Sequence, residues 1–238
     1  MDHFYADPHD IQGGTLVLRG DEQKHLVRVL RKKVGDRISA TDGRDNSFTA
    51  VIRSLGRGIA ECEILETFNR VNEPEVDVTL AVSLLRNPAR FDFLVEKATE
   101  LGVRTIIPLL CERTVPRHEK HPRLEKIALA ALKQSERSFL PRISRLMEFD
   151  VLVREADRYA LRFIPHEGAE RSRLMSEILK NHTDAGSILI AVGPEGGFSG
   201  RELEVARESG FVPVSLGPRR LRSETAAVLA VGWGVGGR

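Results

Sequence analysis

Cysteine is scarce in this chain: two in 238 residues, Cys62 and Cys111, far apart and both in strand-like runs. That scarcity excludes a disulfide framework, and neither a C-x-x-C pair nor an H-E-x-x-H helix offers a metal site. Both thiols are expected to be small buried hydrophobes. No apolar run reaches membrane-spanning length. The opening Met1-Asp2-His3-Phe4-Tyr5 lacks the basic-then-apolar order of a signal peptide, so the expected setting is the cytoplasm, with no membrane partner. An excess of one charge is missing too: 36 Lys and Arg against 34 Asp and Glu leave a net charge of +2. Histone-like binding is thereby excluded, and any contact with nucleic acid must come from local clustering.

What is present falls into two halves. From Thr15 to about Glu66 the pattern is mostly β: strands at 15–18, Arg37–Thr41, 47–53 and 58–65, with Asp42-Gly43 as a hairpin turn. One helix interrupts them, with Asp21 as its expected N-cap and Leu26, Val27, Leu30 and Val34 at helical spacing. Short strands around one helix suggest a compact barrel-like module over residues 1–70. The polar, proline-bearing stretch 69–74 reads as a linker. Over 74–238 the period changes to strands alternating with helices. Strands at 76–85, Thr105–Leu110, 159–164, Ser187–Val192 and 211–216 alternate with helices around Phe91–Leu101, 124–132, 174–179, 201–209 and from Ser223. That alternation implies a parallel sheet covered on both faces. The glycine-rich tail 232–238 is expected to fray.

Two glycine–proline loops carry the chemistry. Gly193-Pro194-Glu195-Gly196-Gly197-Phe198-Ser199 follows one apolar strand, and Leu216-Gly217-Pro218-Arg219-Arg220-Leu221-Arg222-Ser223-Glu224-Thr225-Ala226 follows the next. In open α/β sheets, ligands bind in the crevice at the carboxyl ends of strands. Glycine lets the backbone come close to a ligand, so a bulky residue at Gly196 is expected to block one. The first loop is neither a P-loop nor G-x-G-x-x-G; Ser199 and Glu202 fit a capping box, and a plain strand-to-helix turn is the alternative. Leu221 between arginines suggests a loop that packs inward. Glu224 and Ser223 have a local alternative as helix-dipole partner and cap. His166-Glu167 follows a strand and suits acid–base work or a hydrogen-bonded loop. Lys24, Arg28, Arg31 and Lys32 share one expected helix face, either solvated or tracking phosphates. Arg113-Thr114 and Lys133-Gln134-Ser135-Glu136-Arg137 carry little signal alone.

Together these residues resemble the ribosomal RNA small-subunit methyltransferase E family of the SPOUT methyltransferases. The resemblance rests on GPEGG-F-S, then LGPR-x-LR-x-ETA. It is supported by His25–Arg31 with Gly35-Asp36, by Glu96–Val103, and by Pro108 with Glu112-Arg113-Thr114. The chain departs at Arg86-Asn87-Pro88-Ala89-Arg90, where a Lys-Gly-Asp-Arg is familiar, and at Lys133 and Glu136, where the familiar run is Glu-Gln-x-Gly-Arg. The resemblance implies a SPOUT-type parallel sheet with a C-terminal trefoil knot, preceded by a small PUA-like β-barrel domain that binds RNA. It implies S-adenosylmethionine as donor, a homodimer, and N3-methylation of a uridine in the decoding region of 16S ribosomal RNA, within the small ribosomal subunit. Carried onto this sequence, donor contacts fall at His166, Gly193, Glu195, Gly196, Gly197, Leu216, Gly217, Leu221, Thr225 and Ala226. RNA contacts fall at Lys24, Arg28, Arg31, Lys32 and Arg113, and catalytic roles at Arg222 and Glu224. Arg222 suits stabilising the uracil anion, and Glu224 orienting Arg222 or taking the N3 proton. Two rivals from other classes are a non-catalytic RNA-binding assembly factor on the same fold, and a NAD-dependent enzyme. The second lacks a phosphate-binding glycine loop after the first strand of its α/β half.

Overall fold

The computed structural model describes residues 3–170 and 173–236. The chain divides into two compact units: Met1–Glu73 together with Leu129–Leu140, and Pro74–Ala128 together with Pro141–Arg238.

The first unit carries β1 (His3–Tyr5), β2 (Ile11–Gln12), β3 (Thr15–Arg19), β4 (Arg37–Thr41), β5 (Asn46–Gly56) and β6 (Ile59–Asn69). They form one sheet in the order β1-β4-β5-β6-β3-β2, with β1 parallel to β4 and every other pairing antiparallel. Alternation sets the buried face: Leu16 and Leu18 of β3 point into a core with Phe4, Ile38 and Ile52. The Asp42 turn is held by its own carboxylate, which accepts from Arg44 N at 2.7 Å and Asn46 N at 3.2 Å, while Gly43 takes φ 68°.

The helix between β3 and β4 differs from expectation. It begins at Gly20, runs as α1 (Gly20–Lys24), and widens into a π-turn over His25–Val29, where Leu30 N donates to His25 O. Asp21 is not the cap: it sits inside the first turn and pairs with Lys24 at 2.9 Å. Arg31 takes φ 53°, which ends the helix there, so Val34 lies beyond it and is exposed.

A segment distant in sequence completes this unit. Arg137 and Glu73 form a fully buried ion pair at 2.6 Å, and the second Glu73 oxygen accepts from Ser138 N and Phe139 N, each at 2.9 Å.

The second unit is the α/β half. Its strands are β7 (Asp77–Ser83), β8 (Thr105–Leu110), β9 (Arg142–Ile143), β10 (Met147–Glu148), β11 (Leu161–Pro165), β12 (Ser187–Val192) and β13 (Val212–Val214). Its helices are α2 (Pro88–Leu101), α3 (His121–Gln134, which crosses into the first unit), α4 (Phe149–Arg154), α5 (Met175–Lys180), α6 (Gly200–Glu208) and α7 (Ser223–Gly236). The sheet is parallel throughout, in the order β10-β8-β7-β12-β11-β13 with β9 beside β8. Strand order reverses direction at β7, which lies between β8 and the much later β12. Helix α2 starts where Asn87 accepts from Ala89 N at 3.0 Å with Pro88 at the first helical position, and it ends at Gly102, φ 107°.

The expected fraying of the tail is corrected. Residues up to Gly236 are helical, because Gly234 lets α7 lie close on the sheet. A Cβ there would sit 3.3 Å from Val78 and 3.4 Å from Ile190. Residues 237–238 lie outside the described residues.

Candidate active site

Three loops leave the carboxyl ends of β11, β12 and β13 and enclose a crevice of about 550 Å³. The first runs through Pro165, His166, Glu167 and Ala169, the second from Val192 to Phe198, and the third from Ser215 to Ser223, with Arg90, Arg113 and Ala226 completing the wall. Gly193, Glu195, Gly196, Gly197, Leu216, Gly217, Leu221, His166, Ala226 and Arg222 all line it, and so does Arg113, which the sequence reading assigns to RNA. Thr225 and Glu224 are not on its wall; Thr225 is exposed at the start of α7 and Glu224 is buried behind it.

The second loop is anchored from below. Ser199 and Glu202 form the capping box: Glu202 N donates to Ser199 Oγ at 3.1 Å and Ser199 N to the Glu202 carboxylate at 2.7 Å. The other Glu202 oxygen accepts from Glu112 N at 2.8 Å, so one buried side chain joins the loop to the 112–114 turn. Thr114 closes that turn, accepting from Cys111 N at 2.8 Å and bonding Ser83 Oγ at 2.7 Å. Arg113 donates to Gly196 O at 2.8 Å and Phe198 O at 3.2 Å. Its guanidinium, expected on RNA, is a brace for the glycine loop. Arg86 N donates to Glu195 at 3.0 Å, which fixes the outer end of the loop.

Gly193 is closely packed: a Cβ there would stand 3.1 Å from the buried Phe198 ring, which would have to shift to make room. Gly197 (φ 68°) and Gly217 (φ 110°) adopt left-handed backbone, and a Cβ on either would meet nothing within 4 Å. The walls there are bare main chain facing open space.

The third loop is tied to the segment leading into α5 by main-chain bonds: Ser215 N donates to Arg173 O, and Met175 N donates to Ser215 O. His166 N donates to Val214 O at 3.1 Å, and its Nδ1 accepts from Gly168 N at 3.0 Å, which leaves the ring proton of the neutral form on Nε2. Glu167 pairs with Arg220 at 3.3 Å across the loops; both are exposed, so the pair contributes little energy.

The charge of the crevice is mostly positive: Arg90, Arg113, Arg219, Arg220 and Arg222 against Glu167 and Glu195. Arg222 is exposed, and Glu224 does not reach it: the Glu224 partner is Arg90, 3.6 Å away. Arg90 lines the crevice and faces Glu224, and the sequence reading does not include it among the site residues. Its signal was the closing arginine of the Arg86–Arg90 run, which aligns with the familiar Lys-Gly-Asp-Arg.

Elsewhere, both cysteines are buried, and burial pushes their thiols up, to about 11 for Cys62 and about 12 for Cys111. Their burial is as expected. Among the described residues there is no cluster suited to a metal ion. Lys24, Arg28, Arg31 and Lys32 belong to the first unit and do not share one helical face. Lys24 ends α1, Arg28 lies in the π-turn, and Arg31 and Lys32 lie in the loop beyond it.

An RNA methyltransferase domain matches residues 72–234, and an RNA methyltransferase PUA domain matches residues 18–65. The ribosomal RNA small subunit methyltransferase E of Synechocystis sp. is 34% identical over 229 residues, covering 94% of this chain and 74% of that protein. Its namesake from Aquifex aeolicus is 31% identical, covering 97% of each. Among solved structures, the small subunit methyltransferase E of Neisseria gonorrhoeae bound to S-adenosyl methionine superposes with a TM-score of 0.86. It is 32% identical, over 97% of this chain and 95% of that one. A probable rRNA-methyltransferase from Porphyromonas gingivalis gives 0.84 at 33% identity, over 98% of this chain and 96% of that one.

Proposed function

The chain belongs to the ribosomal RNA small subunit methyltransferase E family, and we propose that it moves the methyl group of S-adenosylmethionine to N3 of a uridine in the decoding region of 16S ribosomal RNA. The observation that carries this reading is the three-loop crevice whose walls are bare glycine backbone at Gly197 and Gly217. Such walls suit a nucleoside read by main-chain N–H and C=O groups, and Leu216 and Leu221 supply apolar cover. The same donor is bound by the Neisseria gonorrhoeae relative. When bound, the donor supplies an electrophilic methyl carbon on a positive sulfonium.

The residues of this chain position and polarise. Gly193, Glu195, Gly196, Gly197, Leu216, Gly217, Leu221 and Ala226 hold the donor, with His166 and Thr225 at its margins. Holding donor and base in line is the main catalytic contribution. Uridine N3 must lose its proton, and the resulting anion spreads over the flanking carbonyls. Arg222 stands on the crevice wall with a permanent charge and several donors for that anion. The basic run Lys24, Arg28, Arg31 and Lys32 engages RNA phosphates in the PUA-like domain.

We further assign residues 1–70 and 74–238 as the RNA-binding and transfer domains, and a trefoil knot to the second. The bonds of Ser215 with Arg173 and Met175, with α7 then packing on β7 and β12, support the knot. A homodimer in the cytoplasm completes the reading; exposed Phe93 and Leu101 on α2 support the dimer. The test is incubation with labelled S-adenosylmethionine and small ribosomal subunits, followed by mapping of the methylated nucleotide. N3-methyluridine in the decoding region is expected; label elsewhere, or none, overturns the reading. In single turnover, Arg222→Ala lowers the rate by roughly a hundredfold, the scale of one positioned electrostatic group. Lysine rescues poorly, because it lacks the planar fork.

A further inference from the structure

We propose that Arg90, which faces the buried carboxylate of Glu224, is a second guanidinium beside Arg222 that favours ionisation of uridine N3, an inference that rests on the uridine-N3 reading above. Arg90 lies on α2, and its side chain lines the same crevice as the three loops. Its Nε stands 3.6 Å from Glu224 Oε1, and the Glu224 side chain is only 9% exposed. The other oxygen, Oε2, is buried and has no hydrogen-bond partner among the described residues. A buried carboxylate with a vacant acceptor is costly unless a cation compensates it. Glu224 lies in the first turn of α7, and Arg90 is the cation that faces it.

Electrostatic catalysis needs charge that is oriented before the reaction begins. Arg222 is exposed and has no ion pair among the described residues, whereas Arg90 has the buried Glu224 carboxylate 3.6 Å away. A nearby carboxylate restricts the Arg90 side chain, so less rotamer entropy is lost when it meets an anion. In the step itself, the N3–H bond breaks and the proton passes to solvent. The negative charge left on the ring is held by N–H donation from Arg90. The N3 electron pair then forms the N–C bond as the methyl carbon leaves sulfur, whose electrons return to it. Arg90 acts on the first of these events. Glu224 does not touch the base; it is a positioning residue acting through Arg90.

The experiment uses the full chain without donor, bound to a decoding-region transcript carrying 5-fluorouridine, with the ¹⁹F resonance of the bound base followed against pH. A guanidinium close to the ring lowers the N3 midpoint by roughly one pH unit or more relative to free RNA. Arg90→Gln, which removes the charge, returns the midpoint to that of free RNA, while Arg90→Lys retains part of the shift. Glu224→Gln keeps the shape, releases Arg90 and gives an intermediate midpoint. The single-turnover pH–rate profile with donor moves the same way. Wild-type midpoints and profiles in Arg90→Gln overturn the proposal, and wild-type behaviour in Glu224→Gln overturns the positioning role. Nucleotide mapping keeps the two levels apart. If wild-type protein yields N3-methyluridine while Arg90→Gln titrates normally, only this inference fails; if it yields none, both fall.

Discussion

Gly193 and Gly196 share one loop and carry different constraints. A Cβ at Gly193 would press on the Phe198 ring at 3.1 Å and on Phe198 N at 3.2 Å. That ring is buried, with its centroid 5.3 Å from that of Phe149, so it yields only at a cost. Gly193→Ala is expected to cost about 1–3 kcal/mol by overpacking and to distort the loop. A Cβ at Gly196 would meet Arg113 at 3.6 Å, an ordinary contact, so Gly196→Ala is expected to keep both fold and donor binding. Denaturant titration and calorimetry with S-adenosylmethionine check both variants; equal losses would remove the distinction. The sequence marks both glycines alike, because only the packed Phe198 separates them. Arg113 makes the same point. Its two bonds to the glycine loop predict that Arg113→Ala weakens donor binding roughly tenfold, since a hydrogen bond to a charged group contributes about 1.5 kcal/mol. Calorimetry and RNA titration separate the roles. Intact donor affinity with weakened RNA binding would return Arg113 to the phosphate contacts expected from sequence.

At the scale of elements, legibility followed the range of the forces involved. Arg37–Thr41, Thr105–Leu110 and Ser187–Val192 are read to the residue, because their apolar runs end at local punctuation. Helix α2 was legible at its Gly102 end, but its start at Asn87-Pro88, ahead of the expected Phe91, was not. The helix after β3 was not, since hydrophobic spacing cannot distinguish an α-turn from the π-turn at His25–Val29. That widening changes the prediction for the basic run. Arg28, Arg31 and Lys33 remain exposed, but on a turn and a loop. Arg28→Ala with Arg31→Asn, chosen because Asn tolerates the left-handed φ of 53°, is expected to weaken RNA binding and leave donor binding intact. The salt dependence of RNA affinity flattens by about one counterion for each phosphate that is no longer neutralised. An unchanged slope would make the run a solvated surface.

For the whole molecule, the crevice was legible because glycine and proline mark the loops after β12 and β13, and the parallel order of strands sets where such loops gather. Arg90 and the Leu129–Leu140 return were not, since both depend on contacts made far along the chain. The return predicts how the first unit fails. Arg137 and Glu73 are each 1% exposed, and Arg137→Met leaves the carboxylate buried without its cation, which costs about 3–5 kcal/mol. Replacing both partners by apolar residues of similar volume is expected to cost far less, because no charge is stranded. His3 reports on the same region through pH. Its ring bonds Ser39 Oγ at 2.9 Å and Arg137 O at 3.3 Å, and burial holds its pKa below the ordinary 6.5. The unfolded chain therefore binds this proton more tightly than the fold does. The stability tied to His3 is complete above pH 6.5 and is lost as pH falls through that value toward the lower folded one. Urea midpoints measured between neutral and mildly acidic pH should fall in wild type and fall less steeply in His3→Gln. Identical slopes would mean that the His3 ring is hydrated in solution and does not anchor the return segment.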